Sequence, residues 1–467
     1  MATPSEAIDS GARADGGADS VGDSAAYPSS GVAWYSVAVL MLMYIFSFID
    51  RQIISLLVGP MKRDLHISDT QVGLMQGIAF ALLYTFLGLP IARLSDRFNR
   101  KGIIAGGVFI WSCMAALCGV ARSAGQLFLA RVGVGIGEAT LSPAAYSIVT
   151  DSFPKAKLGR AFAIYTIAIP IGSGIALLVG GIVVGAVSGA GDHYMLPLLG
   201  EVRAWQMVFI VTGVPGIFLP LLLLTFREPK RRGVLRTQSG DAPRPAGAPI
   251  AEVARYAWLN RQFYAMHFVA LGLLALAGYA VGAWLPESLV RAYPVTTGQV
   301  GKVIGVSTIF MNTGGMILAG IICDRLTRRG WKDAPVIVAL VSACGIAVLS
   351  CFPPIMPSVT LVWVAVAVSG VTFHAYNGVG PMAVNQVTPN QYRAQISAAY
   401  LFVINMLGLG VGPWIVPFIN DRVFHDPAKI RYSLIIVVFA SAASAALLLW
   451  KVRPVYRQKQ IEAAHWQ

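Results

Sequence analysis

The chain has 467 residues, is 56% hydrophobic with a mean hydropathy of +0.66, and carries only 12% charged residues, about half the share of a soluble protein. That balance excludes disorder of the whole chain and argues against a water-soluble enzyme. The formal net charge of +14 raises the question of nucleic acid, but membrane proteins gather Lys and Arg in the loops of one side, and that reading needs no nucleic-acid partner.

Residues 1–32 are rich in Ala, Gly, Ser and Asp. Glu6, Asp9, Asp15, Asp19 and Asp23 oppose a single Arg13. Such a segment reads as a disordered tail, and it lacks the basic start and short apolar core of a signal peptide. Long apolar runs follow at 33–58, 70–93, 101–121, 125–150, 160–187, 204–226, 260–290, 299–323, 335–352, 358–386, 394–420 and 431–451. Their length fits helices that cross a bilayer and exceeds that of barrel strands. The longest polar break, 227–259, divides them six and six. Within it, Ile250, Val253, Ala254, Ala257 and Trp258 follow helical spacing. The spacing predicts a short amphipathic helix on the membrane surface, the alternative being a mobile linker. The organisation is therefore a tail (1–32), an N-terminal bundle (33–226), a cytoplasmic linker (227–259), a C-terminal bundle (260–452) and a second tail (453–467). Five alternate loops hold about 20 of the Lys and Arg residues and the other six about 9. This asymmetry puts both termini in the cytoplasm. Short loops and an Ala/Gly-rich composition point to a bacterial inner (plasma) membrane, and two six-helix bundles enclose a pathway in a monomer.

The two halves echo each other. Asp96-Arg97 and then Arg100-Lys101 follow the second run; Asp324-Arg325 and then Arg328-Arg329 follow the eighth. Pro154 and Tyr165 match Pro389 and Tyr400 at one offset. Parallel repeats of six helices predict two bundles around a midplane cavity, which suits alternating access. An Asp at a helix terminus can cap a neighbouring helix and pair with an Arg. Asp96, Arg97, Arg100, Asp324 and Arg325 are thus candidate gating residues, forming a cytoplasmic latch that rocking must break.

The loop pattern resembles the signature of the major facilitator superfamily, with Ala92 and Asn99 standing where that signature usually has Gly. A closer resemblance is to the Spinster branch. It rests on Phe48-Ile-Asp50-Arg51-Gln52, Ser68-Asp69-Thr-Gln-Val-Gly73-Leu-Met-Gln76 and Asp96-Arg97-Phe98-Asn99-Arg100-Lys101. It continues through Arg131-Val-Gly-Val-Gly135-Ile-Gly137-Glu138-Ala139 and Ala168-Ile-Pro170-Ile-Gly172-Ser173-Gly174. The resemblance implies the major facilitator fold: an all-α membrane protein of twelve transmembrane helices in two pseudo-symmetric six-helix bundles. It also implies proton coupling at Asp50 and Glu138, and an amphipathic lipid substrate such as a lysophospholipid or a sphingosine-phosphate-like molecule.

The residues themselves single out the same region. An ionisable group inside a spanning helix is costly and usually functional. Asp50, Arg51, Arg131 and Glu138 are four such groups. Arg131 and Glu138 are seven residues apart and share a helix face. Gly135 between them is expected to leave open space, while Gly133 and Gly137 suit close packing on another face. A buried carboxyl favours its neutral form and a nearby Arg favours the charged form. Asp50 and Glu138 are therefore the expected proton-coupling acids, with Arg131 as switchable partner; a permanent structural ion pair is the alternative. Arg51 is a candidate for an anionic head group, for a pair with Asp69 or Glu287, or for snorkelling to the interface.

Further candidates for substrate contact are His374 and Asn377 in the tenth run, Asn312 and Thr313 in the eighth, and Tyr165 in the fifth, alongside Arg51, Arg131 and Glu138. Each of these polar groups has an interhelical hydrogen bond as its plainer role. No phosphate-binding loop, zinc-protease string or Gly-x-Ser-x-Gly sequence is present, so an ATP-driven pump or membrane enzyme is disfavoured, and no cofactor or metal is expected. The expected activity is proton-coupled secondary transport of a small molecule or lysolipid, with organic anions or drugs as the alternative cargo.

Overall fold

The computed structural model describes residues 27–197, 200–231 and 249–463; a few side chains within them, that of Asp96 included, lie outside the described set. Most of the predicted tail 1–32 and the middle of the linker also lie outside it. Among the described residues, eleven helices are long and apolar enough to cross a membrane. In order they are Ser30–Leu56, Asp69–Gly88, Arg100–Cys118, Arg160–Ala190, Ala204–Thr225, Arg261–Ala292, Thr297–Arg328, Ala334–Ile355, Val359–Gln386, Gln391–Phe424 and Pro427–Ala463. The fourth position in the order of twelve is a divided helix, Ala124–Glu138 followed by Leu141–Ser152. We number these spans one to twelve.

The division of the fourth span has a local cause. Pro143 has no N–H and crowds the carbonyl four residues before it, at Ala139, so one helix cannot run through. The first piece ends at Glu138, Thr140 turns its hydroxyl back to the Gly137 carbonyl (2.8 Å), and Pro143 falls in the first turn of the second piece, where it is tolerated. The tenth span is likewise interrupted at His374, and Gly77 breaks the second between Gln76 and Ile78. Wide π-type turns occur at Thr308–Asn312 in the eighth span and at Asn405–Val411 in the eleventh, the latter just before Pro413.

Two further features differ from the sequence expectation. The twelfth helix continues to Ala463 rather than ending near 452, because Tyr456 is buried and Arg453 and Arg457 pair with the buried Asp333. Between spans five and six, His193–Leu196 pairs antiparallel with Gly200–Arg203, a hairpin too short to leave a periodic signal.

The described chain begins and ends on one face, which also carries the linker; we call it the linker face and the other the distal face. The halves meet mainly in the distal part of the bundle, through small residues. A Cβ on Gly181 would lie 2.9 Å from the Gly298 carbonyl, and one on Gly305 would lie 2.5 Å from the Leu178 nitrogen. Spans two and eleven approach as closely: a Cβ on Gly73 would meet the Pro413 carbonyl at 2.7 Å, and one on Gly77 the Gly410 carbonyl at 2.5 Å. Such backbone contact is available only where side chains are absent.

Candidate functional site

The first span carries Ser47, Asp50 and Arg51 in its distal part. Ser47 and Arg51 are four residues apart and share one face. That face meets Glu138, the last residue of the fourth span's first piece. Ser47 donates its hydroxyl to Glu138 Oε2 at 2.7 Å, and Arg51 Nε donates to the same oxygen at 2.5 Å. Arg51 and Glu138 form an ion pair in which the Glu138 side chain is fully shielded and that of Arg51 is 11% exposed. Glu138 Oε1 is buried with no hydrogen-bond partner among the described residues.

This corrects two expectations. Among the described residues Arg131 pairs with no carboxylate; its Nη1 donates to the main-chain carbonyl of Asp50 at 3.0 Å, and its Nε has no partner there. The carboxylate partner is Arg51. The alternatives for Arg51 are closed by other pairings: Asp69 is held by Lys62 (2.6 Å) and Arg291 (2.8 Å), and Glu287 by Arg291 (2.8 Å). Nor does Arg51 reach the interface. Asp50 is 4% exposed, and among the described residues no cation pairs with its carboxylate.

Aromatic rings surround the cations. The Arg51 guanidinium lies 4.7 Å from the Phe80 ring centroid, 4.9 Å from Tyr84 and 5.5 Å from Phe48; Arg131 lies 5.8 Å from Phe80. Ring faces attract cations strongly when water is excluded. Beyond them Tyr44 stacks on Tyr165 at 5.5 Å, and Tyr146 meets Tyr165 edge-on at 5.6 Å. The Tyr165 hydroxyl is buried and without a partner among the described residues. Ser47, Phe80 and Tyr44 escape the sequence reading, since Ser and aromatics in apolar helices are ordinary; only the four-residue step from Ser47 to Arg51 marks the first. Gly135 is not open space: a Cβ there would lie 2.8 Å from the Phe80 carbonyl. Gly133 and Gly137 do pack closely, against Met114 and against Gly107 and Trp111.

The C-terminal candidates form a separate group. Asn312 is buried in the π-type turn of the eighth span, facing Gly370 of the tenth. Thr313 Oγ1 and His374 Nδ1 are buried without partners among the described residues. Asn377 is half-buried, and its N–H bonds the His374 carbonyl at 3.1 Å. No described hydrogen bond joins these four to the charged cluster. His267, fully buried in the seventh span with Nε2 3.1 Å from the Gly380 carbonyl, is an ionisable group the sequence reading passed over.

Among the described residues the expected latch makes no contact across the halves. Arg97, Asp324 and Arg325 are exposed and have no ion-pair partner among the described residues, and the Asp96 side chain lies outside them. Arg100 is buried, but it bonds within its own half and the start of the linker: to Asp151, to Ser147 (2.9 Å), to Glu228 (2.7 Å) and to the Pro229 carbonyl (2.7 Å). Among the described residues, the ion pair and hydrogen bonds of Asp69–Arg291 and Thr70–Asp421 join the halves at the distal face, and Tyr279 of the seventh span approaches Arg51 within the bundle. A cavity of about 290 Å³ at that face, between Asp64, Arg122, His193 and Arg203, is separate from the charged cluster.

Comparison with known proteins supports this architecture. The family model of the Major Facilitator Superfamily matches residues 40–413. An MFS-type efflux pump of Mycolicibacterium smegmatis is 28% identical over 92% of this chain and 95% of its own. A probable L-galactonate transporter of Escherichia coli is 26% identical over 90% and 89%. The sphingosine-1-phosphate transporter SPNS2 of Danio rerio is 24% identical over 83% and 76%. Among solved structures, a bacterial homolog to the human lysosomal transporter Spinster, inward-facing and unoccupied, superposes with a TM-score of 0.72 at 25% identity, covering 94% of this chain and 98% of that one.

Proposed function

Because the chain belongs to the Major Facilitator Superfamily, as a multi-pass membrane transporter of Spinster type and not an enzyme, we propose that it couples proton movement to transport by alternating access. The observation that carries this reading is the buried Arg51–Glu138 pair. In a water-poor site the pair is stable only while both partners are charged. A proton on Glu138 removes the charge that holds Arg51. The freed guanidinium then has its aromatic surround and whatever anion the pathway offers. Asp50 next to it is a second acid whose surroundings change as the first span moves. Arg131 fixes the first span by its main-chain bond and supports the site rather than switching.

The cargo we propose is an amphipathic lipid with an anionic head, such as a lysophospholipid or a sphingosine-phosphate-like molecule. Guanidinium suits a phosphate head. Tyr44, Tyr84, Tyr146 and Tyr165 suit an apolar chain. Asn312, Thr313, His374 and Asn377 would contact the cargo from the other half. The names of the relatives from Mycolicibacterium smegmatis and Escherichia coli favour a second reading, a carrier of organic anions or drugs. We place the protein in a bacterial inner membrane as a monomer with the linker face cytoplasmic, so that the face where the halves share no described hydrogen bond is turned to the cytoplasm. Latching of that face by Asp96, Arg97, Asp324 and Arg325 would belong to the opposite conformation.

The test is flux into proteoliposomes under an imposed pH gradient. Saturable, gradient-driven uptake that Glu138→Gln abolishes supports the reading; undiminished gradient-driven uptake in both Glu138→Gln and Asp50→Asn overturns it. Thermal-shift titration with lysolipids, organic anions and cationic drugs separates the two cargo classes.

A further inference from the structure

We infer that the outward face of the linker helix Ile250–Leu259 is an anchor for the anionic headgroup layer of the bilayer, tied to the base of the eleventh span. The helix has two apolar faces. One packs on the protein: Val253 is buried, and Tyr256 and Ala257 are half-buried. The Tyr256 hydroxyl donates to the Val387 carbonyl at 3.3 Å, its ring lies 4.9 Å from that of Tyr392, and the Tyr392 hydroxyl donates to Glu252. These contacts fasten the helix to the turn between spans ten and eleven.

The other face is uncovered. Ile250, Trp258 and Leu259 are 71%, 69% and 71% exposed, and Ala251 and Ala254 are exposed beside them. At about 100° per residue, Ile250, Ala254, Trp258 and Ala251 fall within an arc of about 100°, with Ile250 at its edge nearest Val253 and Trp258 about 140° round from Val253; Leu259 extends the exposed surface further round. Large apolar side chains gathered this way call for a partner other than water.

Position and charge name that partner. The helix is joined through Asn260 directly to Arg261, the first residue of the seventh span, so it lies at the level where that span enters the bilayer. Arg255 and Arg261 are exposed, and the Arg261 guanidinium lies 5.2 Å from the Trp258 ring. Glu252 accepts from Tyr392 and keeps its charge, so the two arginines against this one acid leave the helix end net positive. Residues 227–261 hold eight Lys and Arg against three acids. Indole at headgroup depth beside arginines is the pattern that binds an anionic membrane surface. A lipid-held helix would steady the base of the eleventh span, whose distal part meets the second span at Gly73 and Gly77. The inference does not depend on what the protein carries.

Hydrogen–deuterium exchange of the full chain in nanodiscs tests it. Amides of 250–260 are expected to exchange more slowly in discs containing phosphatidylglycerol than in phosphatidylcholine alone, by about fivefold for each arginine engaged. Arg255→Gln with Arg261→Gln should remove that difference, and Ile250→Ser with Trp258→Ser should raise exchange in both lipids. The substituted side chains are exposed, so each variant should keep the wild-type gel-filtration profile and Tm. Equal exchange in the two lipids overturns the inference. So does protection in detergent that grows with protein concentration, which would make a second copy of the chain the occupant.

Discussion

Glu138 Oε2 accepts from Ser47 and Arg51 at once, while Oε1 has no described partner, so one oxygen carries nearly all that stabilises the carboxylate. Glu138→Gln keeps the size and an oxygen that can still accept from Ser47 and Arg51, but leaves the Arg51 guanidinium without a counter-charge among ring faces. Breaking a buried pair in this way costs roughly 3–5 kcal/mol, and replacing both partners with apolar residues recovers much of it. We expect Glu138→Gln to lower the Tm measurably and to remove pH-driven uptake, and Arg51→Met with Glu138→Met to recover the Tm but not the uptake. A double variant that still responds to a pH gradient would show that the proton is taken elsewhere. The four intramembrane charges are legible in the sequence, because a charge within an apolar run stands out without any structure. Their pairing is not. Arg131 and Glu138 share a face, but seven residues of helix separate them by about 10 Å along the axis, too far for a direct pair. Arg51 reaches Glu138 from a neighbouring span, and nothing in one-dimensional spacing records that.

The same contrast holds for the spans. Hydropathy averages across a window, so it reads 125–150 as one run and passes over the break. The signal is nevertheless present in Pro143, whose missing N–H frees the carbonyl of Ala139 just after the functional acid. Pro143→Ala should let the fourth span close into one helix and turn Glu138 away from Ser47. We expect transport to fall while the Tm holds or rises, and slowed amide exchange at 139–143 would confirm that the break has healed. The small residues between spans five and eight give a second test. A side chain on Gly181 would run into the main chain at Gly298 and Lys302. Gly181→Val should therefore hold the distal ends apart, seen as longer electron–electron resonance distances between spin labels on the distal ends of these spans. Unchanged distances would mean that the two helices slide to make room. The π-type turn at Thr308–Asn312 has no such signature in sequence, since no proline or glycine lies within it.

At the scale of the molecule, what decides the conformation is which face the halves share. Here it is the distal one, and the polar part of the seal is compact. Arg291 bonds both oxygens of Asp69 at 2.8 Å across the halves, while its Nε holds Glu287 and Lys62 holds Asp69 from the other side. The Asp69 side chain is 1% exposed and that of Arg291 15%, so salt screens the bond little. Thr70 adds a second link, its hydroxyl 2.6 Å from Asp421. A bidentate Arg–carboxylate contact is directional, and a rocking bundle loses both its bonds in one step. The linker face has no equivalent among the described residues, so the balance between conformations should rest heavily on this one contact. Arg291→Ala leaves Glu287 without its cation and Asp69 with Lys62 alone, and should shift the population toward a distal-open state. The measurement is the spin-label distance across the distal face in nanodiscs, together with labelling of a cysteine placed at its rim. Exchanging the two residues, Asp69→Arg with Arg291→Asp, sets the new arginine beside Lys62 and the new aspartate beside Glu287. Closure should then return only in part, and more fully when Lys62→Glu and Glu287→Lys are added. If Arg291→Ala leaves the distance distribution unchanged, the glycine contacts alone hold the face shut, and the ion pair merely accompanies the closure.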